Sequence, residues 1–102
     1  MHTLAMKWGS MPSIHLRANN GQYVCAEGGG GQELVANRNW AREWETFRLE
    51  LIDGEFRDGR HIALIADDGH YVCAEQGGGG EVVANRPTLG DWETFQVVRL
   101  GL

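Results

Sequence analysis

Tyr23-Val24-Cys25-Ala26-Glu27 returns as Tyr71-Val72-Cys73-Ala74-Glu75, 48 residues further along the chain. Working outward at the same offset, Val35-Ala36-Asn37-Arg38 matches Val83-Ala84-Asn85-Arg86, and Trp44-Glu45-Thr46-Phe47 matches Trp92-Glu93-Thr94-Phe95. Ile14–Gly54 falls on Ile62–Leu102 without a gap, and 21 of the 41 pairs are identical. Composition alone gives about two or three. The chain therefore contains an internal duplication, and fold and function have to be argued for a unit of 48 residues used twice.

Within one unit the periods are those of strands. Ile14, Leu16 and Ala18 alternate with His15 and Arg17, the period-two pattern of a half-buried strand. Asn19-Asn20-Gly21, matched by Asp67-Asp68-Gly69, has the residues of a tight turn. Tyr23–Glu27 is rich in β-formers and predicts a second strand, Glu33–Asn37 a third, and Trp44–Ile52 a fourth with Phe47, Leu49 and Leu51 on one face. The glycine runs Gly28–Gly31 and Gly77–Gly80 suit hairpin loops and oppose helix, because each glycine disfavours a helix by roughly 1 kcal/mol relative to alanine. The expected class is all-β. The expected organisation is an N-terminal extension over 1–12, unit 1 over 13–54, a linker over 55–60 and unit 2 over 61–102. Strand phase places Ile14, Leu16, Phe47, Leu49, Ile62, Leu64, Phe95 and Val97 in the core.

Composition narrows the function classes. The 102 residues carry a formal net charge of −5, with Lys7 the single lysine among nine basic residues. An acidic chain without a basic cluster is a poor partner for nucleic acid or an anionic membrane. Met1–Met11 lacks the long apolar core of a signal peptide, and the chain reads as cytoplasmic.

Chemistry-bearing motifs are sparse. Neither glycine run fits a phosphate-binding register, and no lysine follows either one. Cys25 and Cys73 occupy equivalent strand positions without a C-x-x-C or a ligand histidine, so they read as small buried hydrophobes, unbonded to each other. His2, His15, His61 and His70 have no counterparts across the repeat, and they read as surface residues. Glu27/Glu75, Glu33/Glu81 and Glu45/Glu93 recur, which favours structural pairing with Arg38 and Arg86 over a duplicated glycosidase pair. No catalytic residue, metal or cofactor is expected, and the chain reads as a non-enzyme. The candidate ligand-binding residues are Asn37, Arg38, Trp40, Asn85 and Arg86. In this reading a loop amide and a guanidinium grip sugar hydroxyls while Trp40 stacks on the ring, and Thr88 faces Trp40 in the other copy. Trp44 and Trp92 read as packing residues, and Asn37 and Asn85 as strand-end residues able to turn left-handed.

The ordered run N-G-Q-Y-V-C-A-E-G-G-G-G, then L-V-A-N-R, then W-E-T-F resembles one repeat of the fascin-like, actin-crosslinking type of β-trefoil, over about 90 of the 102 residues in two copies. That resemblance implies four strands per unit, two lining a barrel and two forming a capping hairpin, with threefold pseudo-symmetry, Phe47 and Phe95 facing the barrel core and actin as a partner. A trefoil needs three units, about 144 residues at this period, and the chain supplies two. The chain is then a fragment, a compact two-unit monomer, or part of a homo-oligomer, with three chains sharing two barrels favoured. The Q-x-W signature of ricin-type sugar-binding trefoils is absent. A carbohydrate-binding module ranks first, because sugars ask for no basic surface; a fascin-like actin crosslinker and a self-assembling structural fragment follow.

Overall fold

Eight short strands run through residues 12–99, the part of the chain that the computed structural model describes. They are β1 (Ser13–Ile14), β2 (Tyr23–Ala26), β3 (Leu34–Arg38), β4 (Phe47–Leu51), β5 (His61–Ile65), β6 (Tyr71–Ala74), β7 (Val82–Arg86) and β8 (Phe95–Gln96). Among the described residues every pairing is antiparallel, and the only helical segments are three-residue 3₁₀ turns. The all-β expectation holds. Apart from Pro12, the 1–12 extension lies outside the described residues, as do the last three residues of unit 2.

The repeat is carried into the strand register. β1 pairs with β4 through Ser13–Arg48 and Ile14–Phe47; β5 pairs with β8 through His61–Gln96 and Ile62–Phe95, the same pairs displaced by 48. Hairpins β2–β3 and β6–β7 also correspond, each with a register irregularity just after its tyrosine. The units are joined by the β4–β5 ladder, from Arg48–Ile65 to Leu51–Ile62.

Two strand assignments shorten. The predicted strand at Ile14–Ala18 keeps only its first residue in β1, followed by an isolated pairing of Arg17 with Tyr23. Trp44–Thr46 is not strand, because Glu43–Glu45 makes a 3₁₀ turn and β4 starts at Phe47. The reason is local: the Glu45 side chain reaches back to accept the Arg42 N–H at 2.8 Å, as an acidic third residue does at a helix start. Asn37 and Asn85 lie within β3 and β7, and the one non-glycine residue with positive φ among the described residues is Gln76. Ladder pairing holds both asparagines extended, so the left-handed expectation for them fails.

Phe47, Leu49, Ile62 and Leu64 are buried with Ala26, Ala66, Val72 and Ala84 in one core cluster. The other four expected core residues, Ile14, Leu16, Phe95 and Val97, pack against that cluster but stay half-buried. The division follows position. The buried four sit on β4 and β5, each flanked by strands on both sides, whereas the half-buried four belong to β1, β8 or the residues that follow them. Among the described residues β1 pairs only with β4, and β8 only with β5.

Candidate functional site

Arg38 ends β3 and is held from three directions. Its Nη2 donates to Glu27 Oε1 at 2.8 Å, its Nη1 donates to Asn37 Oδ1, and its Nε lies 4.0 Å from the buried carboxylate of Glu45. Arg86 repeats the arrangement with Glu75 at 2.7 Å, Asn85 at 2.5 Å and Glu93 at 3.9 Å. Of the recurrent carboxylates, Glu27, Glu45, Glu75 and Glu93 thus pair with these two arginines, while Glu33 and Glu81 do not. The strands paired with β3 and β7 each carry a free, fully buried cysteine, Cys25 on β2 and Cys73 on β6. Burial, helped by a hydrogen bond to Glu45 and opposed by Arg38, pushes the Cys25 thiol up to about 12; Cys73 is pushed to about 11 in the same way, through Glu93 and against Arg86. Neither is a ready thiolate nucleophile. Among the described residues no group of three His, Cys, Asp or Glu side chains is placed to hold a metal ion.

The chain beyond Arg38 forms the wall of a cleft. Asn39 Oδ1 accepts from Gln22 Nε2 at 3.3 Å, which ties the loop to the first turn of the unit. Thr46 Oγ1 donates to the Arg42 carbonyl at 2.6 Å and, with Glu45 on the Arg42 N–H, folds Arg42–Thr46 back over the strand end. The result is an open cleft of about 420 Å³ lined by Arg38, Asn39, Trp40, Arg42, Glu43, Trp44 and Glu45. Trp40 is 73% exposed and Trp44 42%. The Trp44 indole edge rests on Gly29, where an added Cβ would stand 3.0 Å from Nε1. The packing expectation holds for that edge alone, since Trp44 and Trp92 are both exposed, at 42% and 41%, and Trp44 also lines the cleft.

Of the five expected site residues, Arg38 and Trp40 line this cleft together, while Asn37 serves as an acceptor for Arg38. Asn85 and Arg86 occupy the counterpart position, where Pro87, Thr88 and Gly90 stand for Asn39, Trp40 and Arg42. The second unit thus lacks three of the lining side chains. Asn39, Arg42, Glu43, Trp44 and Glu45 were not signalled as cleft residues by the sequence, because they converge only once the 3₁₀ turn has formed.

A second cleft, of about 670 Å³, is lined by Asp53, Arg57, Asp58, Gly59, Arg60, Val97 and Arg99. Two of its arginines, Arg57 and Arg60, meet Glu55, and Asp58 accepts the Arg99 backbone N–H at 2.8 Å. Nearby, His61 Nδ1 lies 2.8 Å from Asp53 and, with the His61 N–H, holds that carboxyl below its ordinary range. His70 does the same for Asp68, its backbone N–H and ring together outweighing the opposing effect of burial.

A family model described as a domain of unknown function (DUF7910) matches residues 12–58, which is unit 1 with most of the linker. No curated protein matches the chain.

Proposed function

We propose that this chain is a non-enzymatic binding module of the β-trefoil type that takes carbohydrate in the Arg38–Trp44 cleft. The observation that carries the reading is the pair of exposed indoles, Trp40 and Trp44, in one concave site with amide, guanidinium and carboxylate groups around them. A pyranose has an apolar face and an equatorial rim of hydroxyls. Indole faces suit the first, and a few fixed polar groups suit the second. Arg38 is held by Glu27 at 2.8 Å and Glu45 by the Arg42 N–H at 2.8 Å, so this rim is organised before a ligand arrives.

The trefoil assignment draws on the resemblance of each unit and on the pairing of β4 with the strands that open both units. First and fourth strands alternating around a barrel, with a β2–β3 hairpin per unit, have this pattern. Actin crosslinking, which the resemblance also implies, fits less well. Arg38, Arg57, Arg60 and Arg86, half of the eight arginines, are already held by carboxylates, and the formal net charge of −5 offers an acidic filament no electrostatic attraction.

The test is tryptophan fluorescence titrated with a panel of neutral oligosaccharides. A saturable change is expected, lost in Trp40→Ala while the far-ultraviolet circular dichroism is unchanged. Thr88→Trp should not be needed for binding, since the site belongs to unit 1. No saturation by any neutral glycan into the millimolar range would overturn the reading, as would a response that survives Trp40→Ala.

A further inference from the structure

The two units dock through a patch that each of them possesses, and the chain uses only one pairing of it. Inside the chain, the Gly29 carbonyl accepts the Asp68 N–H at 2.9 Å, the Gly31 N–H donates to the Ala84 carbonyl at 2.6 Å, and the Gln32 carbonyl accepts the Ala84 N–H at 2.9 Å. Glu33 pairs with Val83 beside them. The glycine run of unit 1 is thereby sewn to the first turn and third strand of unit 2.

Displaced by 48, the same atoms exist again. Unit 2 offers the Gly77 carbonyl, the Gly79 N–H and the Gly80 carbonyl; unit 1 offers the Asn20 N–H and both backbone groups of Ala36. The glycine side is already shaped, since φ is 140° and 87° at Gly30 and Gly31 and 137° and 87° at Gly78 and Gly79. It is also uncovered at Gly78: an added Cβ there would meet nothing within 4 Å among the described residues, whereas at Gly30 it would fall on the Asp68 carboxylate. On the other side, Ala84 is 0% exposed but its counterpart Ala36 is open to solvent. The strand edges agree, for β8 and β1 carry the half-buried Phe95, Val97, Ile14 and Leu16 where β4 and β5 carry their buried equivalents.

We infer that the sector between β8 and β1 takes a unit from a second copy of this chain, with Ala36 and Asn20 of a donated first unit, or Ala84 and Asp68 of a donated second unit, seated on Gly77–Gly80. The inference rests on the threefold reading given above for the size of the sector. A sector of one third admits one unit and not a joined pair, so the donating chain has to part its own units. The exposed Asp53–Gly59 segment between β4 and β5 is where it can do so. With its neighbours it spans on the order of 25 Å when extended. Three chains then satisfy every edge: two keep their units together, and an open third gives its first unit to one and its second to the other. The open chain gives up its β4–β5 ladder, and each freed edge is covered again by the equivalent strand of a closed chain, β1 standing for β5 and β8 for β4. The assembly also gains β8–β1 ladders that separate chains lack.

Light scattering on the full chain at micromolar concentration tests this, together with Ala36→Arg. Ala36 is exposed within the chain, so the variant keeps the fold and loses only the docking patch. The expected masses are about 34 kDa for the wild type, three times 11.3 kDa, and 11.3 kDa for the variant. A wild-type monomer would overturn the inference. An assembly that Ala36→Arg leaves intact would overturn the docking patch and spare the threefold reading, whereas a two-chain species dissolved by Ala36→Arg would do the reverse. Hydrogen exchange reads the patch without a variant: the Gly79 amide is expected to be protected like that of Gly31, and to lose protection on dilution. Rapid exchange of Gly79 at every concentration would count decisively against the contact.

Discussion

Gly30 and Asp68 lie so close that a Cβ on residue 30 would fall inside the Asp68 carboxylate. The carboxylate cannot easily step aside, because the backbone N–H and ring of His70 both hold it and its own N–H is bonded to Gly29. Gly78 has nearly the same φ and open space around it within the chain.

A paired substitution separates backbone strain from contact. Both Gly30→Ala and Gly78→Ala force alanine into an extended, positive-φ backbone that is essentially reserved for glycine, at about 1–3 kcal/mol each. Gly30→Ala adds an overpacked junction, for about 1–3 kcal/mol more. Urea denaturation of the dissociated chain is expected to show this gap. Equal losses would mean that Asp68 yields.

The two phenylalanines of the repeat should differ in the same conditions. Phe47 is fully buried, and Phe47→Ala is expected to destabilise by about 3–5 kcal/mol. Phe95 is half-buried at the β8 edge, so Phe95→Ala should lose about half as much. If both unfold at the same urea concentration, β8 is covered as fully as β4.

Both thiols keep their protons well above the ordinary value of 9.0, through burial first and the neighbouring glutamate second. In the unfolded chain they ionise near that value. Stability from this source is therefore complete below about pH 9 and is lost as pH rises toward 11 and 12. Tyr71, raised by donating to Glu50, acts in the same direction. Melting temperatures between pH 8 and 10.5 should fall less steeply in Cys25→Ala/Cys73→Ala. At neutral pH a reducing agent should leave the wild-type melting temperature where it is, and a shift of several degrees would reveal a disulfide.

Gln76 occupies φ 65°, where its counterpart Gly28 sits at 71°. Gln76→Gly removes left-handed strain of about 1–2 kcal/mol and restores unfolded-state freedom of about 0.5–1 kcal/mol. A net gain of about 0.5–1 kcal/mol is expected in urea, and a net loss would mean that the glutamine side chain makes a contact worth more than the strain.

Sequence periodicity located the strands and the buried seam of Phe47, Leu49, Ile62 and Leu64, because alternation assigns each side chain to a face. It did not separate those four from Ile14, Leu16, Phe95 and Val97. Whether a face is covered depends on which strand lies next to it, and that is a property of topology. Trp44–Thr46 looked like strand because tryptophan and threonine favour pleated structure, yet a single side-chain bond from Glu45 to the Arg42 N–H prevailed. Arg38 and Trp40 were visible as a polar and an aromatic residue beyond a strand. Their cleft partners Arg42 and Trp44 were not, because that 3₁₀ turn alone brings them there. The glycine runs were legible as loops, but the docking of Gly29–Gln32 on unit 2 uses backbone atoms and leaves no side-chain signature. The runs are even offset by one residue between units, and backbone angles, not letters, equate Gly28–Gly31 with Gln76–Gly79.

The Glu27–Arg38–Glu45 clamp and its copy at Glu75–Arg86–Glu93 each close within a single unit. That confines their contacts to short stretches of chain, and the β2–β3 and β6–β7 hairpins are equally local. Loop closure favours such contacts early, whereas pairing β1 with β4 has to gather residues more than 30 positions apart. The kinetic order written into the repeat is therefore two clamped hairpins first, each in its own time, and the joining of their outer strands as the slow step.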